Sequence, residues 1–346
     1  MVTKEETVRS RVLGLRAGEL VEVRSEAEIL ATLDEKGELD SLPFMPEMRQ
    51  FCGRRFRVYK RAVKLCDTIS WTGMYRMENA VHLEGVRCDG QAHGGCQAGC
   101  NTYWKEAWLR RVDADAQEPR EPVAEATHLP GGAAPAGPPS GCTVAELLAA
   151  TRKDAADASG EELYSCQATE LLRAAPTRVP PWDVKQYVLD VSSGNTGVLA
   201  LIRSVTVGVF NEYQDASRRL PRPLRIRGGR RYPFIDGKLQ KTPHEALDLR
   251  PGELVRVKSK EEIVRTLDAN NRNRGMSFDA EMLKYCGRQA RVLRRVDRII
   301  DEPSGRMMRL KNPCIILEDV ICTSDFHRLC PRAIYPYWRE IWLQRV

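Results

Sequence analysis

Three stretches of this chain occur twice, in the same order and at one spacing, and that repetition restricts the fold more than any other feature. Leu15-Arg16-Ala17-Gly18-Glu19-Leu20-Val21-Glu22-Val23 returns as Leu249-Arg250-Pro251-Gly252-Glu253-Leu254-Val255-Arg256-Val257. Phe51-Cys52-Gly53-Arg54 returns as Tyr285-Cys286-Gly287-Arg288, and Tyr103-Trp104-Lys105-Glu106-Ala107-Trp108 as Tyr337-Trp338-Arg339-Glu340-Ile341-Trp342. The offset is about 234 residues throughout, and roughly 39 of about 100 paired positions are identical without a net gap. Two homologous domains, 1–112 and 247–346, are therefore expected to flank something different.

Each repeat opens with an alternating strand, Leu20 to Arg24 or Leu254 to Lys258, followed by Ser25-Glu26-Ala27-Glu28 or Ser259-Lys260-Glu261-Glu262. That spacing is a capping box, in which the Ser oxygen and the Glu carboxylate satisfy orphan amides of a first helical turn. It predicts a helix of about ten residues, to Asp34 or Asp268. A second short helix is expected at Pro46 to Phe51, then strands at Arg55 to Arg61, around Met74, at Val81 to Val86 and at Trp108 to Val112. Five short strands with little between them suggest a small, partly open SH3-like barrel. The fold class read from the sequence is thus mainly β with an α-helical insert, the two barrels flanking a small helical domain.

Between the repeats, 113–141 is rich in Ala, Pro, Gly and Glu and reads as a flexible linker. Residues 142–215 read as a helical insert, with helix starts at Thr143, Ser159, Pro181 and Asn195, and 216–246 as an Arg-rich connector. The most apolar stretch, Val198 to Phe210, is interrupted by Arg203 and is too short for a membrane span. With no export signal at the N-terminus, a cytoplasmic protein without membrane insertion is expected.

In that compartment eleven cysteines, an odd number, point to thiols or metal ligands rather than a disulfide framework. The repeat acts as a filter on them. Cys52 pairs with Cys286, Cys88 with Cys322, Cys96 with Cys330 and His93 with His327 at the common offset. The pattern Cys-x4-His-x2-Cys after a strand, closed by a distant cysteine, predicts a four-coordinate Cys3His zinc site in each domain, two zinc ions per chain. A complete shell leaves no open position and would be structural. Two alternatives remain. If Cys52 is an ordinary buried thiol, three ligands and an open position could activate water. Cys100, whose counterpart is Ile334, could join Cys52, Cys88 and Cys96 around an iron-sulfur cluster in the first domain.

The paired tryptophans read as core packing, with a recognition face as the rival, and Glu106 and Glu340 as surface or salt-bridged groups. The seven arginines Arg218, Arg219, Arg222, Arg225, Arg227, Arg230 and Arg231 equal the net charge of +7, and with no acid among them offer an anion-contact strip. They lack interleaved aromatics, so specific nucleic-acid recognition is not supported. No phosphate loop, dinucleotide fingerprint or hydrolase signature is present. His82, beside Glu84 but replaced by Ile316 in the second copy, reads as a core or edge-strand histidine.

Lys311-Asn312-Pro313-Cys314-Ile315-Ile316-Leu317-Glu318, Tyr335-Pro336-Tyr337-Trp338-Arg339-Glu340-Ile341-Trp342 and His93-Gly94-Gly95-Cys96-Gln97-Ala98-Gly99-Cys100 together resemble a family of uncharacterised bacterial proteins with duplicated SH3/KOW-like barrels. The family is associated with polysaccharide or specialised-metabolite gene clusters. The resemblance implies a biosynthetic setting and no particular activity. The function expected is a zinc-stabilised, non-catalytic accessory protein that binds a partner protein or an anionic ligand. The alternative is a metalloenzyme of small-molecule metabolism with its active centre in the first repeat.

Overall fold

The computed structural model describes residues 12–112, 141–153, 160–221, 223 and 225–346. All of the expected linker except Gly141 lies outside them, as does Arg222. The architecture is mainly β: several antiparallel sheets, one curled into a half-barrel, with a few short helices and one 20-residue helix, Val198–Ser217.

In the first half, Leu20–Val23 sits between Arg55–Arg61 and Leu109–Arg111, and Arg55–Arg61 pairs onward with Ala80–Leu83 and then Trp104–Lys105. In the second half Leu254–Val257 sits between Gln289–Ile300 and Leu343–Arg345. The registers correspond residue for residue. Leu20 faces Arg57 as Leu254 faces Arg291, and Val21 faces Arg111 as Val255 faces Arg345. Val21 and Val23, like Val255 and Val257, point inward because a strand's side chains alternate, while their neighbours stay partly exposed.

Both capping boxes form, but the helices that follow stop at Glu26–Leu30 and Lys260–Val264. Each is five residues rather than about ten. Leu33 and Leu267 are fully buried beyond the helix ends, so packing of the following turn overrides further helical propensity. The four repeat tryptophans, Trp104, Trp108, Trp338 and Trp342, are fully buried, as the core-packing reading expects. Trp108 and Trp342 donate their indole N–H to Thr32 and Thr266, which removes the cost of burying that polar atom.

Glu106 and Glu340 are not surface groups. Glu106 accepts from the amides of Leu13, Gly14 and Leu15, and Glu340 from those of Leu247 and Leu249. Each carboxylate ties the entry segment of its half to the closing turn and faces one arginine, Arg61 or Arg295.

Among the described residues the segment expected as an independent helical unit shares its buried side chains with the first half. Cys142, Leu147, Cys166, Leu171, Ala174, Ala175 and Val179 are buried in the same cluster as the first half's strands. Thr177–Val179 adds a strand to Met74–Arg76, and Gln167 spans Pro43 and Tyr103 with three backbone hydrogen bonds. The helix expected from Ser159 to Ala174 is confined to Leu171–Ala174 among the described residues. Farther on, Asp183 caps Val184–Ser192.

The halves also join each other through a reciprocal contact. The Cys96 sulfur accepts from the amide of Ile300, and the Cys330 sulfur accepts from the amide of Cys66. Positions 66 and 300, like 96 and 330, are related by the repeat offset.

Candidate metal centres

In each half a short 3-10 helix and a loop after a sheet strand converge on one point. The helix is Pro46–Phe51 in the first half and Ala280–Tyr285 in the second, and it carries Glu47 or Glu281. The loop carries Cys88 and His93, or Cys322 and His327. Glu47, Cys88 and His93 can each offer a ligand atom within 4.8 Å of the others, as can Glu281, Cys322 and His327.

The first set is tight. Cys88 Sγ lies 3.1 Å from Glu47 Oε1 and 3.5 Å from His93 Nε2, while His93 Nδ1 lies 3.5 Å from Glu47 Oε1. Cys88 and Glu47 face different ring nitrogens of His93, so an ion held by all three would take one of those nitrogens and draw the other donor round to it, to the roughly 3.3–3.7 Å donor spacing of a tetrahedral ion. Two of its buried polar atoms, Glu47 Oε2 and His93 Nδ1, have no hydrogen-bond partner. Orphaned polar atoms carry a desolvation cost that a cation would offset. Burial and the Glu47 carboxylate push the Cys88 thiol far up, and burial pushes the His93 imidazole down, so without a cation the thiol is protonated and the imidazole neutral.

The second set is looser and better braced. His327 Nδ1 lies 3.7 Å from Cys322 Sγ and 4.0 Å from Glu281 Oε1, while its Nε2 faces Asp279 at 3.4 Å. A histidine held through its far nitrogen by a carboxylate is the usual support of a metal-ligating imidazole. Glu281 is itself oriented by the Phe326 amide and the Thr323 hydroxyl. Although burial lowers the basicity of His327, Asp279 and Cys322 raise it to about 11. Without a metal the imidazole therefore stands as a cation between acidic groups, and it must give up that proton to ligate an ion. Position 45 is Met where position 279 is Asp, so the brace exists only in the second half.

The loop geometry is the same in both halves. Gly90, Gly94 and Gly95 have φ of 74°, 69° and 69°, and their counterparts Ser324, Arg328 and Leu329 have 61°, 51° and 60°. At these three positions the second half holds non-glycine residues in the left-handed region, a strain stored next to its site. At Gly90 there is no such latitude, because a Cβ would collide with the backbone of Cys96.

Of the eight ligands expected from the sequence, the structure brings together Cys88 with His93 and Cys322 with His327. Cys52 and Cys286 belong to neither set. Each ends the 3-10 helix with its amide bonded to Arg49 or Leu283, and burial raises each thiol to about 11. Cys96 and Cys330 cap strand amides of the opposite half, which accounts for their presence in both repeats without a metal. Glu47 and Glu281 are the residues that sequence reasoning missed. They are identical at the repeat offset, but as carboxylates they fall outside a comparison of cysteine and histidine pairs.

A cavity of about 50 Å³ adjoins the first set, between the halves. Its wall includes Cys88, His93, Cys96, Cys100, Cys166 and Arg332. The grouping of Cys52, Cys88, Cys96 and Cys100 expected for an iron-sulfur cluster is not reproduced, since Cys52 is not on that wall. The arginine strip is largely engaged: Arg218 and Arg231 with Asp215, Arg230 with Asp236, Arg225 with the Leu220 carbonyl, and Arg227 over the Phe234 ring. Arg219 is exposed at the end of the long helix. His82 is wholly buried, bonded to the Thr102 carbonyl and tilted against the Tyr103 ring at 4.4 Å between centroids, so it is a core residue. Among the described residues no helix is long and apolar enough to cross a membrane.

Comparison with known proteins gave no match to a family model, to a curated protein or to a solved structure.

Proposed function

We propose that this protein is a zinc-binding protein built on two SH3-like repeats, whose first ion keeps one coordination position open to a small anionic ligand. The observation that carries the reading is the donor set itself. One carboxylate, one thiolate and one imidazole suit a borderline cation such as zinc better than magnesium or calcium. Three donors rather than four leave a tetrahedral ion incomplete.

In the first half two of the three donors, Cys88 and His93, line the cavity between the repeats, which would give a ligand access to the ion. Its volume equals a few water-sized spheres of roughly 10–15 Å³ each, room for an anion of a few heavy atoms. Arg332, buried in the same wall, supplies positive charge, although its own hydrogen bonds go to Cys66, Thr68 and Glu302. The second site, where Asp279 braces His327 through its far nitrogen, supports a structural ion once the imidazole gives up its proton to it. The resemblance to proteins of biosynthetic gene clusters would place the ligand among small anionic metabolites.

The same open position favours a second reading, a metalloenzyme in which the first ion lowers the pKa of a bound water. Metal analysis and cobalt substitution distinguish the outcomes. The account expects about two zinc ions per chain, one lost in Cys88→Ser and the other in Cys322→Ser. The visible bands of the cobalt-loaded protein should shift when bicarbonate or phosphate is added. Protein that keeps its fold yet binds no zinc would overturn the metal reading, and cobalt bands indifferent to anions would remove the open position. Hydrolysis of an activated ester in proportion to zinc content would support the enzyme reading instead.

A further inference from the structure

The reciprocal contact between the halves is chemically unequal. On one side the Cys96 sulfur meets the amide of Ile300; on the other the Cys330 sulfur meets the amide of Cys66, so a second sulfur stands where the first side has an isoleucine. Cys330 Sγ and Cys66 Sγ are 3.3 Å apart, although 264 residues separate them in the chain. We propose that Cys66 and Cys330 are an oxidation site that forms a reversible disulfide between the two halves.

Three features support this. The sulfurs need to approach by only a little over 1 Å to reach a disulfide bond length of about 2.05 Å, and the Cys66 amide already holds Cys330 Sγ at 3.2 Å. Cys66 is partly exposed, which gives a small oxidant a route, whereas Cys330 is buried behind it. The hydrogen bond donated by Cys330, together with the Arg332 guanidinium, pulls the Cys66 thiol down to about 6, so Cys66 is the attacking sulfur. Arg332 is anchored beside it, donating to the Cys66 carbonyl and the Thr68 hydroxyl.

With hydrogen peroxide as oxidant the chemistry balances. The Cys66 thiolate attacks one peroxide oxygen, forming S–O and breaking O–O, and the departing hydroxide takes a proton and leaves as water. The Cys330 sulfur then attacks the sulfenic sulfur, forming S–S and breaking S–O, and the second hydroxide leaves with the Cys330 proton as water. Two thiols are oxidised by two electrons and one peroxide is reduced to two waters. The product ties the strand Leu65–Cys66 of the first half to the loop of the second half, three residues past His327. This inference does not rest on metal binding, and its test does not read metal.

The test uses the full wild-type chain, reduced, freed of reductant and treated with one equivalent of hydrogen peroxide. It is then alkylated in denaturant and digested without reduction. Mass spectrometry should show a Cys66–Cys330 cross-linked peptide, two hydrogens lighter than the dithiol, forming ahead of oxidation at other cysteines and vanishing on treatment with a phosphine. In Cys330→Ser a sulfenic acid should instead accumulate at Cys66 and be trapped by dimedone. Recovery of both residues as alkylated thiols, a cross-link of Cys66 to another cysteine, or sulfinic acid at Cys66 beside a free Cys330 would each overturn the proposal.

Discussion

Glu47 and Glu281 determine what the two sites can be. With a second and third sulfur each site would be closed and thiolate-rich; with a carboxylate it is mixed and open. Glu47→Gln keeps the size of the side chain and removes its charge, and is expected to weaken zinc binding at the first site by at least the roughly 10- to 100-fold that losing a ligand's supporting partner costs, read by competition with a chelating dye. Cys52→Ser at the edge of the same helix should leave that affinity unchanged. His82 gives a separate residue-scale prediction. Burial holds its imidazole near 3 against an ordinary 6.5, while the unfolded chain titrates normally. The unfolded state therefore binds more protons between those values, and stability present above pH 6.5 is lost as pH falls, by up to about 1.4 kcal/mol per unit. His82→Ile, the exchange the second half carries as Ile316, should flatten that part of the pH–stability curve measured by urea unfolding. His82 shows why composition alone misleads: a histidine beside an acid in sequence is, in space, a core side chain bonded to a carbonyl.

At the level of elements, the parts that local rules govern were legible. Both serine capping boxes, the threonine one at Thr143, and the strands Arg55–Arg61 and Leu109–Arg111 lie where the residue types place them. Element lengths were not legible, because the helices after Ser25 and Ser259 are ended by packing rather than by a glycine or proline. Glu106 was not legible either. Nothing in its neighbourhood reveals that residues 13–15, more than ninety positions away, turn their amides toward it. Glu106→Gln exchanges a charged acceptor of three backbone bonds for a neutral one, and a loss of about 2–3 kcal/mol in chemical denaturation is expected. Glu340→Gln should cost less, since that carboxylate accepts from two backbone amides where Glu106 accepts from three. An equal or smaller loss at Glu106 would show that these bonds do not set the order.

On the scale of the whole molecule, the sequence separates three units that the structure interlocks. Lys64 of the first half and Asp190 of the insert form a fully buried pair at 2.5 Å. Removing one partner leaves a buried charge, so Lys64→Met should destabilise by about 3–5 kcal/mol, whereas Lys64→Met with Asp190→Leu should recover most of that loss. A double variant as unstable as the single one would mean the pair is not what holds the insert. The duplicated cysteines carry the broader lesson. Cys88 and Cys96 look alike to a filter that asks only which residues occur twice, yet one faces a carboxylate and an imidazole while the other braces the opposite half. Contacts between repeats leave the same trace in a sequence as a metal site within each repeat.

X-ray absorption at the zinc edge counts sulfur and lighter ligands directly. The zinc-loaded wild-type protein is predicted to show about one sulfur near 2.3 Å per ion, with the remaining ligands nitrogen or oxygen near 2.0–2.2 Å. Three sulfurs per ion would contradict the account, because they would place Cys52 and Cys96, or Cys286 and Cys330, back in the shell.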